Sequence, residues 1–118
     1  MKGLIIKKVH LDNIISGEKT WEIRSSNTKI RGKIALIESG SGTVVGTAYV
    51  SDSFALTDKD LLKNIDKHLV PKKSIKAGLR YKRPHAWVLT KAKRLKKPKP
   101  YKHKKGAVIW VEIGNLKI

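Results

Sequence analysis

Three side chains that could bind or transform a ligand lie close together in the stretch GEKTWEIRSS, residues 17–26. Lys19 offers an ammonium that donates hydrogen bonds and, if desolvated, can act as a base. Arg24 offers a planar fork of donors that suits a phosphate or a guanine edge, and Glu22 can accept from an exocyclic amine. These residue types predict a polar binding site. The alternative is an ion pair of Glu22 and Arg24 on an exposed strand.

The residues around this trio show the alternation of a half-buried strand. The core face of TWEIRS would carry Trp21 and Ile23, and the polar face Thr20, Glu22 and Arg24. The preceding segment, residues 10–17, predicts one or two helical turns that end at Gly17 in the left-handed conformation. Lys19 follows this end directly, so its side chain is expected to reach into a cleft beside the strand.

The other segments predict a mainly β fold with short helices. Strands are expected at residues 3–9, 85–95 and 107–113, and a hairpin at residues 32–40 and 42–56. Thr57 and Asp60 form a capping-box pattern at the start of a helix over residues 57–68. Residues 70–84 predict an irregular basic connector, and residues 96–106, with two prolines, predict a loop. The order lacks regular βαβ repeats, so we expect a small, mostly antiparallel barrel of five or six strands.

Length and composition predict one packed domain over residues 1–118. The hydrophobic content is 40%, with three Trp, which favours a folded chain over a disordered one. The chain has no Cys, and its four His are far apart, so neither a disulfide nor a metal site is predicted. We expect no cofactor. The apolar run near the start is too short for a signal sequence or a membrane span, so we expect a soluble, cytoplasmic monomer.

The positive charge is concentrated in one part of the chain. The formal net charge is +18, and residues 67–111 contain no acidic residue. The sixteen basic residues of this segment are Lys67, Lys72, Lys73, Lys76, Arg80, Lys82, Arg83, Lys91, Lys93, Arg94, Lys96, Lys97, Lys99, Lys102, Lys104 and Lys105. A merely solubilising surface would mix both signs, whereas a field of one sign indicates a polyanionic partner. Nucleic acid is favoured over membrane because no apolar helical stripe accompanies the basic residues.

Several residues outside the trio are also candidates for nucleic-acid contact. Tyr101 lies among lysines next to prolines that favour extended backbone, so it could stack on a base while the ammoniums follow the phosphates. Trp87 is either a core residue or a stacking wall, and Ser25 either donates to a ligand or forms a turn. The full candidate set is Lys19, Glu22, Arg24, Ser25, Arg31, Trp87, Lys93, Arg94, Lys97, Tyr101 and Lys102.

Two segments together resemble the ASCH domain, the ASC-1 homology family of the PUA-like superfamily. The first contains the pattern G-x-K-x-x-x-x-R, formed by Gly17, Lys19 and Arg24, with Glu22 as an acidic variant. The second is HAWVLTKAKRLKKPKPYKHKKGAVIWVEI, residues 85–113. The resemblance covers nearly the whole chain. It implies a β-barrel of five or six strands with a cleft into which residues 17–24 project, and binding of RNA or another nucleic acid.

The same resemblance implies an alternative function, since some small family members hydrolyse N4-acylated cytidines and others are proposed nucleases. Such an amidohydrolase would use Lys19 as the base and a hydroxyl three residues later as the nucleophile. Glu22 occupies that position here, and it could instead activate water. Lys19 and Glu22 are therefore the candidate catalytic residues of an acylcytidine hydrolase or a metal-independent ribonuclease. A third possibility is an accessory protein on ribosomal RNA or an acidic protein partner.

Overall fold

The structure, a computed structural model, describes residues 1–78 and 82–118. Residues 79–81, part of the basic connector, lie outside the described residues, and so does the basic residue Arg80. The strands are β1 (Lys2–Ile6), β2 (Trp21–Arg24), β3 (Gly32–Glu38), β4 (Thr43–Ala55), β5 (His85–Pro100) and β6 (Trp110–Glu112). The helices are α1 (Lys8–Ser16), α2 (Asp58–Lys63), α3 (Ile65–His68) and α4 (Lys72–Lys76). In these described ranges, no helix is both long and apolar enough to cross a membrane.

One six-stranded sheet, in the order β2-β5-β4-β3-β1-β6, organises the chain. The β1–β3 pair is parallel, and the other pairs are antiparallel. The sheet curls into a half-barrel, so that Trp87 of β5 stacks on Trp110 of the edge strand β6. The predicted fold class, a small mainly β barrel with short helices, is confirmed.

Several predicted boundaries were wrong. The first strand, expected over residues 3–9, ends at Ile6, and helix α1, expected from residue 10, begins at Lys8. The helix expected over residues 57–68 is divided at Asn64 into α2 and α3.

Strand β5 continues through Pro100, because Lys99 and Pro100 pair with the start of β4 at Val44 and Thr43. A proline keeps its carbonyl as an acceptor, so the two prolines do not end the strand. The basic connector contains the short helix α4, which buries Ile75. The last strand is limited to Trp110–Glu112, although the alternation extends further on both sides.

The core packs α1 against the sheet and thereby fixes where α1 ends. Leu11 and Ile14 of α1 are buried in one cluster with Leu4 and Trp87. Helix α1 ends at Gly17, whose φ of 87° is the left-handed conformation expected there. The chain then turns sharply, and the amide of Lys19 donates to the carbonyl of Asn13 at 2.9 Å. This turn fixes the direction in which the Lys19 side chain leaves the main chain.

Two other local features shape the framework. The capping box predicted at Thr57 is present, with the side chains of Thr57 and Asp60 each bonded to the other residue's amide. At Gly46 the sheet is irregular, and β5 approaches so closely that a Cβ there would lie 2.6 Å from the carbonyl oxygen of Lys93. Only glycine permits that approach.

Candidate functional site

A cleft of about 620 Å³ lies where the two edges of the curled sheet approach each other. Its polar side chains include Lys19, Glu22 and Arg24, which the sequence had singled out. Ile5 and Val108 line it from the side of β1 and β6. The segment after α3 and the helix α4 provide another wall, which comprises Leu69, Val70, Pro71, Ser74, Ala77 and Gly78.

Lys19 is the deepest charged group of the cleft, and its residue is only 3% exposed. Its Nζ donates to the carbonyl of His68 at 2.6 Å and lies 3.7 Å from Oε1 of Glu22. Burial lowers the pKa of Lys19 below its ordinary value, and the Glu22 carboxylate opposes this effect without reversing it. Lys19 is therefore easier to deprotonate than an ordinary lysine.

Glu22 is held between two cations in a position that is only 5% exposed. Its Oε2 accepts from Nε and Nη2 of Arg24 at 3.1 and 2.9 Å, and its Oε1 faces Lys19. A carboxylate in such surroundings needs these partners, because a buried unpaired charge is costly. The polar face of β2 thus points into the cleft and not into open solvent, which removes the exposed ion pair as an interpretation.

Arg24 links the two sides of the curled sheet. Its Nη2 also donates to the carbonyl of Ile5 on β1 at 3.0 Å, and its guanidinium lies 5.6 Å from the ring centre of Trp87. Because Nε and Nη2 are already bonded within the protein, the fork is not free for the two-point pairing considered from the sequence. Nη1 is the part of this guanidinium left to face a ligand.

Trp87 lies beneath the cleft in the core and is 1% exposed. Its ring stacks on Trp110 with centres 5.5 Å apart, and Nε1 donates to the carbonyl of Ser26 at 2.9 Å. With Arg24 on the ring and Trp110 stacked against it, Trp87 has no open face for a base. The structure therefore places it as a supporting residue and not as the stacking platform considered from the sequence.

The remaining predicted site residues are spread over other surfaces. Ser25 is exposed in the turn after β2, and Arg31 donates to the carbonyls of Thr28 and Ile30. Tyr101 is half-buried, which raises its pKa, and its hydroxyl contacts His103 Nδ1 at 2.9 Å. The exposed basic members are Lys93, Arg94 and Lys97 on β5 and Lys102 after it. None of these seven residues lines the cleft.

Sequence reasoning missed several residues that do line the cleft. They are Lys7, His10, Ser39, His68 and Ser74. His68 is 0% exposed and lies 49 positions from Lys19, so no local pattern could have paired them. His10 lies in the first turns of α1, where burial lowers its pKa. Lys7 and His10 are three positions apart, a spacing that places two side chains on the same face of a helix. This spacing was the feature of the sequence that could have identified them as neighbours.

Most of the described basic residues of 67–105 lie in two parts of the molecule, with Lys67 on α3 and Lys82 and Arg83 just before β5 outside them. Lys72, Lys73 and Lys76 lie on α4, the helix that walls the cleft, and the lysines from residue 91 onward lie on β5 and the chain after it. Among the described basic residues of 67–105, only Arg94 has a carboxylate within 4 Å, that of Asp12. The charge of this surface is therefore almost unneutralised by the protein itself. Within the described ranges, no three His, Asp or Glu residues form a group that could hold a metal ion.

The half-barrel with a charged cleft between its edges defines a recognisable class of small domain. The ASCH domain family model matches residues 4–116, and the chain belongs to that family. Similar solved structures include ASCH from Zymomonas mobilis, with a TM-score of 0.68 and 15% identity over 84% of this chain and 72% of that one. A tyrosine-to-phenylalanine variant of that protein has a TM-score of 0.69 and 15% sequence identity, with 84% of this chain and 74% of that chain covered. A serine-to-alanine variant has a TM-score of 0.63 and 16% sequence identity, with 84% of this chain and 72% of that chain covered. A comparison with curated proteins finds no match.

Proposed function

We propose that this protein binds nucleic acid, RNA in preference to DNA, with the basic surface supplying affinity and the cleft supplying selectivity. The observation that carries the proposal is that the described basic residues of 67–78 and 82–105 are nearly unneutralised, and some of them lie on the helix that walls the cleft. Such a surface is self-repulsive unless a polyanion occupies it. The preference for RNA rests on the family resemblance.

The cleft is suited to one group of the nucleic acid at a time. Lys19 and Nη1 of Arg24 can donate to a carbonyl or phosphate oxygen, and Oε1 of Glu22, at 3.7 Å from Lys19, keeps acceptor capacity for an amine. Ile23, Val70 and Pro71 form apolar parts of the wall, so the face of a flat base can pack on them while the polar edge of the base meets the charged groups. Phosphate contacts by the lysines then fix the strand, and the cleft reads one unit of it.

The test is the affinity for a short mixed-sequence single-stranded RNA and its DNA equivalent, measured by fluorescence anisotropy at several salt concentrations. If six to ten phosphates of a single strand are contacted, affinity falls by roughly 3 × 10² to 2 × 10⁴ between about 50 and 200 mM salt. The triple variant Lys93→Glu, Lys97→Glu and Lys102→Glu removes three contacts and lowers the slope of log affinity against log salt by about 2.

A matched control reverses three exposed lysines outside the basic segment, Lys29, Lys33 and Lys59. Both triple variants change the net charge by the same amount. A difference in RNA affinity between them therefore reports where the RNA contacts the protein. Equal losses in the two variants would mean that net charge alone attracts the RNA. A flat salt dependence of the wild-type protein would exclude backbone binding altogether.

Hydrolysis of a modified nucleoside such as N4-acylcytidine, or metal-independent RNA cleavage, is the second candidate function. The lowered pKa of buried Lys19 favours it, because a lysine that loses its proton more readily than an ordinary lysine is better suited to act as a base. The hydroxyls of Ser39 and Ser74 also line the cleft, whereas Thr20 is exposed outside it. Under this function, Lys19→Ala or Glu22→Gln abolishes turnover with little loss of RNA affinity. Wild-type protein that neither deacylates N4-acylcytidine nor cleaves RNA would exclude it.

A further inference from the structure

His68 uses both nitrogens of its ring to hold the main chain around it. Nε2 contacts the carbonyl of Leu61 at 2.7 Å, and Nδ1 accepts from the amide of Val70 at 2.9 Å. An amide can only donate, so Nδ1 carries no proton and Nε2 carries one. The buried ring is thus neutral and its tautomer is fixed. Burial, which lowers the pKa of His68, favours the same state.

These two bonds stabilise a turn that the sequence alone would not favour. Leu69 has φ of 61°, a left-handed conformation that is strained for a residue with a branched side chain. The amide of Leu69 donates to the carbonyl of Ile65 at 2.7 Å, and the next amide, that of Val70, donates to the His68 ring. The residues of this turn continue directly into the cleft wall at Leu69, Val70 and Pro71.

The same turn orients the carbonyl of His68, which accepts from Lys19 Nζ at 2.6 Å. The charged groups that act on Lys19 from the neighbouring strand are Glu22 and Arg24 on β2, and Lys19 itself contributes to lowering the pKa of His10 on α1. Glu22 attracts the ammonium, while Arg24 repels it. The carbonyl of His68 accepts a direct hydrogen bond from the ammonium at 2.6 Å, so it fixes the position of the ammonium, while Glu22 attracts it from 3.7 Å.

We propose that His68 is a positioning residue of the cleft, whose ring fixes the turn at Leu69 and Val70 and so presents its own carbonyl to the ammonium of Lys19. The part of this inference that concerns ligand binding rests on the proposed function. The part that concerns Lys19 itself does not, because the position of the ammonium can be measured without any ligand.

Two variants separate the roles of the two ring nitrogens. His68→Asn keeps an acceptor near the position of Nδ1, and His68→Gln keeps a donor near the position of Nε2. The pKa of Lys19, followed by NMR at its Nζ, stays below 10.5 in His68→Asn as in the wild type. In His68→Gln the turn loosens and the ammonium reaches solvent, so the pKa of Lys19 rises toward that ordinary value.

A merely structural role of His68 would lower thermal stability in both variants and leave the pKa of Lys19 unchanged in both, which would overturn the proposal. Should neither variant fold, the wild-type ring nitrogens still decide it. Their NMR shifts must report a neutral ring protonated at Nε2, and a charged ring or the other tautomer would overturn the proposal.

Binding of the mixed-sequence RNA provides the second readout. We expect His68→Gln to weaken binding as much as Lys19→Ala does, and the double variant to weaken it no further, since both remove the same contact. We expect His68→Asn, which keeps the acceptor for the Val70 amide, to weaken binding less than His68→Gln does. If Lys19→Ala itself leaves affinity unchanged, the cleft part of the proposed function fails, and the Lys19 pKa alone then decides the positioning role of His68. Additive losses in the double variant would overturn that role in binding.

Discussion

Replacing Glu22 with glutamine removes the one anion between two cations that have little access to water. At 3.7 Å, attraction between Lys19 and Glu22 is worth about 4 kcal/mol at an effective dielectric constant near 20, before desolvation is counted. Removing one partner of a buried ion pair costs about 3 to 5 kcal/mol, because the other charge stays buried without compensation. The glutamine amide keeps the shape and can still accept from Arg24. We therefore expect a loss near the lower limit, about 3 kcal/mol.

The measurement is urea unfolding at pH 7, followed by tryptophan fluorescence. In a thermal unfolding experiment on the same proteins, a loss of about 3 kcal/mol corresponds to a fall in Tm of roughly 10 °C for a chain of this size. Glu18→Gln is the matched control, because Glu18 is exposed four positions earlier and the same change there should alter stability by less than about 0.5 kcal/mol. If Glu22→Gln were as harmless as Glu18→Gln, the cluster would not be electrostatically coupled, and the reasoning from burial would be refuted.

Three further changes follow from other contacts. Arg24→Lys keeps the charge but loses the paired contact with Glu22, so unfolding measurements should show a loss of about 1 to 3 kcal/mol; unchanged stability would contradict this. Gly46→Ala places a methyl group against a β5 carbonyl and should cost about 1 to 3 kcal/mol in the same assay, unless the strand shifts freely. Burial lowers the pKa of His68 in the folded state, so as the pH falls below 6.5 the unfolded state binds a proton at this residue before the folded state does. The wild type should therefore lose stability relative to His68→Asn as pH falls below 6.5. A parallel pH dependence of the two proteins would contradict this.

Local patterns in the sequence predicted much of the fold. Alternation identified β2, and two continuous apolar runs separated by a glycine-rich turn identified the β3–β4 hairpin. Gly17 marked the end of α1, and Thr57 with Asp60 marked the start of α2. These features depend on contacts within a few residues of each other. The prolines near the end of β5 predict a loop locally, whereas the pairing of this part of β5 with Val44 depends on a strand about fifty positions away.

The candidate site could be predicted only in part, for the same reason. The polar face of β2 was readable from alternation, and the structure brings Lys19, Glu22 and Arg24 together. The alternation could not show that this face is covered by α3 and α4, so Glu22 was expected to point outward and is nearly buried. The contact from Lys19 to the His68 carbonyl joins two segments that are distant in the sequence. Its acceptor is a main-chain carbonyl, which every residue has, so the type of residue at position 68 does not predict the contact.

The most direct test of nucleic-acid binding by both the cleft and the basic surface is an NMR titration of the labelled protein with the mixed-sequence RNA. We expect shift changes at the side chains of Lys19 and Arg24 and at the amides of Leu69 and Val70, together with changes along residues 91–105. Changes confined to the basic surface, with none in the cleft, would contradict the role of the cleft. No changes in either region at concentrations that saturate anisotropy would contradict nucleic-acid binding at these surfaces.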